Sequence, residues 1–371
     1  MAEPLAGKRV AHLSATAFGG GVAEIQYTLI PLMNDAGLDV EWRIIRGQDE
    51  FFNVTKHLHN ALQGKPEDIT PEEQEIFARY QQLNADEFTD DYDFVVIHDP
   101  QPLGIIDHFP DSRARWIWRC HIDLSTPHEQ VLDALLPSIR RYHGTIFHRR
   151  EYVPDREGFP TAYIWPPAID PLAPKNMALS AEDAAFIVDQ FGIDAYRIVK
   201  RRYPEVQLAL VGSMAHDDPE GWDYYNRTVE YAGGDPDVYI LSNLTNVGSV
   251  EVNAFQVHSA AVIQKSVREG FGLTVSEALW KARPTIAGRV GGIVAQIDDG
   301  VTGWLVSSVD ECAQACIEVL RDPAEARSRA LRGKEFVRRN FLTPRLLRDW
   351  LALFNRQLGN ATDVDLTVAA A

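Results

Sequence analysis

The chain has 371 residues, 45% hydrophobic and 24% charged, which is the usage of a globular protein long enough for two cores of roughly 150–200 residues each. Its 53 acidic residues outnumber 36 basic ones for a net charge of −17, and no Lys/Arg run forms a basic stripe, which argues against nucleic acid or an anionic membrane as partner. The N-terminal residues lack a basic head and a long apolar run, and no window approaches the roughly 18 apolar residues of a membrane span, so a cytoplasmic location is expected.

Taken in chain order, a short apolar run at 9–13 is followed by glycines 19–21 and a helical stretch over 22–36, which reads as strand, glycine turn, helix. Further strands are predicted at 37–42, 93–97, 114–120 and 144–147, with helices at 53–62, 71–83 and 129–142. Pro166, Pro167 and Pro171 break regular structure over 163–172 and mark a linker. The alternation then resumes, with strands at 207–211, 238–241, 261–264, 285–287 and 303–305 and helices at 223–232, 249–258, 274–281 and 309–320. Strands alternating with helices predict two parallel, doubly wound sheets. A last helix over 344–358 carries Leu346, Leu347, Trp350, Leu351 and Phe354 at helical spacing, and the polar tail from Gly359 is expected to fray. Cys120, Cys312 and Cys316 form neither an even disulfide framework nor a metal-ligand spacing with a second pair, and read as small buried hydrophobes.

Chemistry concentrates in three places. The run Arg268-Glu269-Gly270-Phe271-Gly272-Leu273-Thr274-Val275-Ser276-Glu277 is a strand-following glycine loop entering a helix, with two carboxylates eight positions apart. Such a loop offers free backbone N–H groups and a positive helix end to an anion, and Glu277, two turns in, can bond neutral hydroxyls. After the first strand, Phe18-Gly19-Gly20-Gly21 permits close backbone approach to a ligand at a helix start. There is no Gly-x-Gly-x-x-Gly, and the second strand ends in Trp42-Arg43 without a ribose-binding acid, so a dinucleotide site is set aside. Finally, Ile97-His98-Asp99-Pro100-Gln101 and Arg119-Cys120-His121-Ile122-Asp123 put polar residues just past strand C-termini, where ligands of doubly wound sheets sit.

The Glu269-x7-Glu277 pattern with its Gly-Phe-Gly-Leu core resembles the donor motif of retaining GT-B glycosyltransferases. Together with the strings HLSATAFGGGVAEI, WIWRCHIDLSTP, LVGSMAHDDPEGWDYY and NVGSVEVNAFQ, it resembles the trehalose-forming glycosyltransferring synthases over nearly the whole chain up to about Gly359. The resemblance implies an α/β GT-B fold: two Rossmann-like domains facing each other across a cleft, acceptor-binding at 1–165 and donor-binding at 166–340. A helix at 341–358 would pack near the junction, ahead of a flexible tail at 359–371. It implies transfer of glucose from ADP- or UDP-glucose to free glucose, reversibly and with retention. Glu269 would contact the transferred sugar, and Gly270, Phe271, Gly272, Leu273 and Thr274 would form the donor loop. Glu277 would hold the ribose, Gly20 and Gly21 would approach the donor, and Asp99 and His121 would meet the acceptor and the transferred glucose. No covalently bound cofactor is expected. NDP-glucose enters as substrate, a stimulatory Mg2+ would act through its phosphates, and no metal-binding carboxylate cluster is evident. The partners implied are the nucleotide sugar and glucose or trehalose, in a homodimer. Trehalose phosphorylases, nucleotide-sugar epimerases and a nucleotide-sugar-binding protein without turnover remain as alternatives.

The resemblance breaks at one place. The family carries an Arg and a Lys on a loop after the first strand of the donor domain, and neither that strand nor that pair can be found here, Lys265 and Arg268 being the only partial substitutes. Phe191-Gly192-Ile193-Asp194 runs directly into Ala195-Tyr196-Arg197, joining one helix to the next, so on the order of 25 residues of the pattern are absent. The expectation is a chain break: the Cα atoms of Asp194 and Ala195, or of neighbours within about three residues, should lie well beyond the roughly 3.8 Å of a trans peptide.

Overall fold

A computed structural model describes residues 1–17, 20–173, 176, 193–212, 221–242, 245–264 and 270–369. Compact units divide the chain at two junctions, so that Met1–Pro167 and Pro344–Ala371 belong to the first and the described residues from Ala168 to Thr343 to the second.

The first unit is built on β1 (Arg9–Ser14), β2 (Asp39–Ile44), β3 (Phe94–His98), β4 (Arg115–Arg119), β5 (Gly144–Phe147) and β6 (Ala162–Ile164). All six run parallel in the order β6-β5-β4-β3-β1-β2. Helices cover both faces of such a sheet, so its central strands are apolar at every position instead of alternating, and Phe94, Val95, Val96 and Ile97 of β3 are all fully buried. The chain winds one way from β1 to β2 and the other way from β3 on. The switch point between β1 and β3 is where a doubly wound sheet opens a ligand crevice at its C-terminal edge.

The last long helix, Thr343–Gln357, packs on this sheet from Pro344 onward. Phe354 lies 4.4 Å from the Phe94 ring, and Trp350 sits edge-on to His12 and Trp165. Beyond the helix, the stretch read as a frayed tail instead carries β12 (Val368–Ala369), antiparallel to β6, with Leu366 buried. The open edge of β6 supplies unpaired backbone groups, and pairing satisfies them.

The second unit contains β7 (Leu208–Gly212) paired in parallel with β8 (Val238–Ser242), and a separate parallel sheet of β9 (Val262–Gln264), β10 (Thr285–Gly288) and β11 (Trp304–Val306). Leu208, Ala261, Ile286 and Val306 share one apolar core with the helices Ile193–Lys200 and Val309–Arg321. In the doubly wound order the first strand of a unit pairs with the second and the fourth. It would therefore stand between β7 and β9, and no strand occupies that place among the described residues.

The expected break at Asp194–Ala195 is not found. Backbone runs through both residues inside the helix Ile193–Lys200, because Ala195, Tyr196 and Val199 fall on one stripe and are buried in the core. A further helix, Pro323–Asn340, has no counterpart among the elements read from the sequence. Its buried side is the small-residue stripe Ala326, Ala330, Gly333 and Val337, which a search for large apolar residues passes over.

Candidate functional site

In the first unit the site grows from the strand ends beside the switch point. β3 ends at His98, and Asp99 follows with φ of 64°, a left-handed conformation that a short polar side chain tolerates best and that is held here by three bonds. The Asp99 amide donates to the Arg119 carbonyl at 2.9 Å, its carbonyl accepts from Trp118 Nε1 at 3.0 Å, and its Oδ1 accepts from the His121 amide at 2.7 Å. Asp99 and His121, singled out separately in the sequence, are thereby brought into direct contact, and both remain partly open to solvent.

Behind them lies a row of histidines of which the sequence reading assigned only His121. His12 on β1, His98 at the end of β3, His121 after β4 and His148 after β5 follow one another across the sheet. Ring nitrogens meet at 3.0 Å between His12 and His98, 3.0 Å between His98 and His121, and 3.4 Å between His121 and His148. The signal was present: β3 ends on a histidine, and β4 and β5 are each followed by one within two positions. Burial pushes the His12 imidazole down to about 3, and burial together with the neighbouring histidines and the Arg119 guanidinium holds His98 and His121 well below the usual histidine range. Arg119 is fully buried and donates from both terminal nitrogens to the Trp165 carbonyl at 3.2 Å. Burial and the nearby Arg345 bring its own value down to about 9.

The glycine loop of the second unit is held from beneath. Gly272 has φ of +79°, which only glycine adopts without strain, and it caps the helix Leu273–Trp280. Gln296 Nε2 donates to the carbonyls of Phe271 at 2.5 Å and Gly272 at 3.3 Å, while Phe271 is buried against Phe341. Leu273 and Thr274 open the helix, so their N–H groups are among those with no intrahelical partner and can face an anion. Glu277 is buried on this helix and accepts from Gln256 Nε2 at 3.4 Å; Gln256 in turn bonds Lys281, which reaches Asn176 at 3.2 Å. Gly270 is the first described residue of the loop, while Glu269, Lys265 and Arg268 lie outside the described residues. In the first unit, Gly20 and Gly21 open the helix Gly20–Asp35 directly after the β1 loop, and Phe18 and Gly19 fall outside the description. Among the described residues no group of three His, Cys, Asp or Glu could hold a metal ion, and no helix is long and apolar enough to cross a membrane.

Two units of parallel sheet, one with polar strand ends at a switch point and one with a glycine loop capping a helix, define a glycosyltransferase of the GT-B class. The solved structure of sucrose-phosphate synthase from Thermosynechococcus elongatus has the same fold, with a TM-score of 0.74 over 95% of this chain and 99% of that one at 17% identity. Residues 12–154 match the trehalose synthase N-terminal domain family, and residues 189–322 match glycosyl transferases group 1. A trehalose synthase of Rubrobacter xylanophilus is 54% identical across 97% of this chain and 93% of its own length, and one of Thermococcus litoralis is 43% identical across 95% and 92%. The chain belongs to the trehalose synthase family. The first alignment runs over 388 residues, more than the 371 present here, so the relative has positions with no counterpart in this chain.

Proposed function

We propose that this chain transfers glucose from a nucleoside diphosphate glucose to the anomeric hydroxyl of free glucose, giving trehalose with retained configuration. The observation that carries the reading is the 54% identity to a trehalose synthase across 97% of the chain, which takes in both the Asp99–His121 contact and the glycine loop. In this reaction the bond between glucose C1 and the diphosphate oxygen breaks, C1 bonds the acceptor oxygen on the same face, and the acceptor proton passes to the departing diphosphate. The reverse path regenerates the nucleotide sugar.

Asp99 and His121 are assigned to the acceptor and the transferred glucose, Glu269 to the transferred sugar, and Glu277 to the ribose hydroxyls. The amides at Gly272, Leu273 and Thr274, with Gly270 and Phe271 shaping their loop, are assigned to the diphosphate. Gly20 and Gly21 are assigned to close approach at the donor. Positioning and electrostatic stabilisation of the leaving diphosphate supply most of the rate in such chemistry. Without an Arg/Lys pair on a loop after a first strand, that charge falls mainly to loop amides and the helix end, so turnover is slow and donor affinity low.

Incubation with NDP-glucose and glucose yields a non-reducing disaccharide under this reading, and no product with any nucleotide donor would refute it. Trehalose cleavage that requires inorganic phosphate would favour the phosphorylase alternative instead.

A further inference from the structure

Gln296 is a buried amide whose orientation is fixed by its partners. Its side chain is fully out of solvent, at the end of the turn Gly291–Ala295 and beneath the glycine loop. Nε2 lies 2.5 Å from the Phe271 carbonyl oxygen and 3.3 Å from that of Gly272, and Oε1 accepts from Ser276 Oγ at 2.5 Å. A carbonyl oxygen can only accept, so the NH2 end must face the loop, while the Ser276 hydroxyl, itself fully buried, holds the oxygen end.

A trans peptide is planar and sets its C=O and N–H on opposite sides. The peptides that carry the Phe271 and Gly272 carbonyls also carry the Gly272 and Leu273 N–H groups. Drawing those carbonyls toward Gln296 therefore turns both N–H groups away from it, at a place where Gly272, Leu273 and Thr274 are partly exposed. The two peptides are not equally secured. The Gly272 carbonyl also accepts from the Val275 amide at 3.0 Å, a bond of the helix itself, so the Leu273 N–H has a second restraint. The Phe271–Gly272 peptide has glycine on one side, and glycine tolerates φ of either sign, so this is the plane that swings when its restraint is removed.

We infer that Gln296 is the positioning residue of the donor loop: it aims the Gly272 N–H, and jointly with the helix the Leu273 N–H, at the diphosphate of a nucleoside diphosphate or its sugar. The same peptide swung over would present the Phe271 carbonyl to the anion and repel it. Donors fixed before charge develops on the leaving group need no reorganisation during the reaction, which is what a buried, fully bonded amide beneath the loop provides. The inference rests on the donor reading of the loop given above.

The test combines calorimetry with backbone amide spectra of the full chain, labelled with nitrogen-15 and titrated separately with ADP and UDP. In the unaltered protein, saturation with a nucleotide that binds should move the Gly272 and Leu273 amide protons downfield. Gln296→Met keeps the length of the side chain but offers no N–H, so nucleotide affinity should fall roughly tenfold. At saturation the Gly272 shift should shrink markedly while that of Leu273 is largely kept. A Gln296 that only stabilises the fold would lower the urea midpoint and leave both saturated shifts as they are in the unaltered protein, and that result overturns the inference. Should Gln296→Met fail to fold, Ser276→Ala releases the far end of the same amide and is read the same way: a reduced Gly272 shift supports the inference and an unchanged one overturns it. Binding heat without a Gly272 shift in the unaltered protein also overturns it, with the nucleotide reading intact. Failure of both nucleotides to bind refutes the donor reading and takes the inference with it.

Discussion

A single added methyl group tests whether the glycine loop binds the donor. Gly292 packs beneath the loop so closely that a Cβ built there would lie 2.4 Å from the Gly270 carbonyl oxygen and 2.8 Å from Phe271 Cα. Both neighbours are backbone, so no rotamer change relieves the contact, and in a Gly292→Ala variant the loop has to move by about 1 Å to restore ordinary separation. The loop cannot move freely, because Gln296 holds two of its carbonyls and Phe271 is anchored against Phe341. Overpacking of this kind costs about 1–3 kcal/mol of stability. A displacement of that size at a positioned reacting group costs up to about 100-fold in rate. Urea unfolding should therefore show a lowered midpoint with unchanged slope, and initial rates should show a fall in kcat/KM for the nucleotide sugar. KM for glucose should stay nearly constant, because Asp99 and His121 belong to the other unit. Wild-type stability and unchanged donor kinetics would refute the reasoning.

Asp99→Asn keeps an oxygen for the His121 amide but removes the charge, so glucose use should weaken by about 1.5–3 kcal/mol while calorimetric nucleotide binding stays near wild type; an equal loss of nucleotide affinity would mean Asp99 serves the donor. Glu277→Gln should do the reverse, lowering donor affinity by a similar amount with little change in the glucose response, and unchanged donor binding would remove Glu277 from the ribose. His12 is neutral in the fold with its value lowered from 6.5 to about 3, so the unfolded chain binds a proton first as the pH drops; stability falls progressively between those two values, by up to roughly 5 kcal/mol. Denaturation midpoints for His12→Gln should fall less steeply over that pH window, and a parallel decline would contradict the assignment.

Much of this architecture was legible from periodicity and punctuation. β3 reads as a strand because Phe94–Ile97 is apolar on both faces, which only a sheet covered on both sides requires, and Gly270 and Gly272 mark the loop as glycines between a strand and a helix. Helix Pro323–Asn340 was not read, since its buried stripe is alanine and glycine and its remainder is charged. β12 escaped because a two-residue edge strand leaves no periodic signature and exists through its pairing with β6. Of the site, Asp99 and His121 could be named from their positions after strands, but their mutual bond depends on the register of β3 against β4, which aligns His98 with Arg119. The histidine row was hidden for a related reason: it joins residues up to 86 positions apart that only the strand order makes neighbours. The missing stretch was legible as a broken pattern, but its outcome was not. Asp194 and Ala195 lie within one helix, Ile193–Lys200, whose Ala195, Tyr196 and Val199 are buried.

The central claim is glucosyl transfer with retention from a nucleotide sugar to free glucose. It is tested most directly by supplying α-configured NDP-glucose labelled with carbon-13 at C1, together with unlabelled glucose, and following the label by NMR. The account predicts that the labelled carbon moves slowly into a non-reducing disaccharide as an α-linked anomeric centre. Label that stays in the nucleotide sugar, that appears only in free glucose, or that arrives with inverted configuration would contradict it.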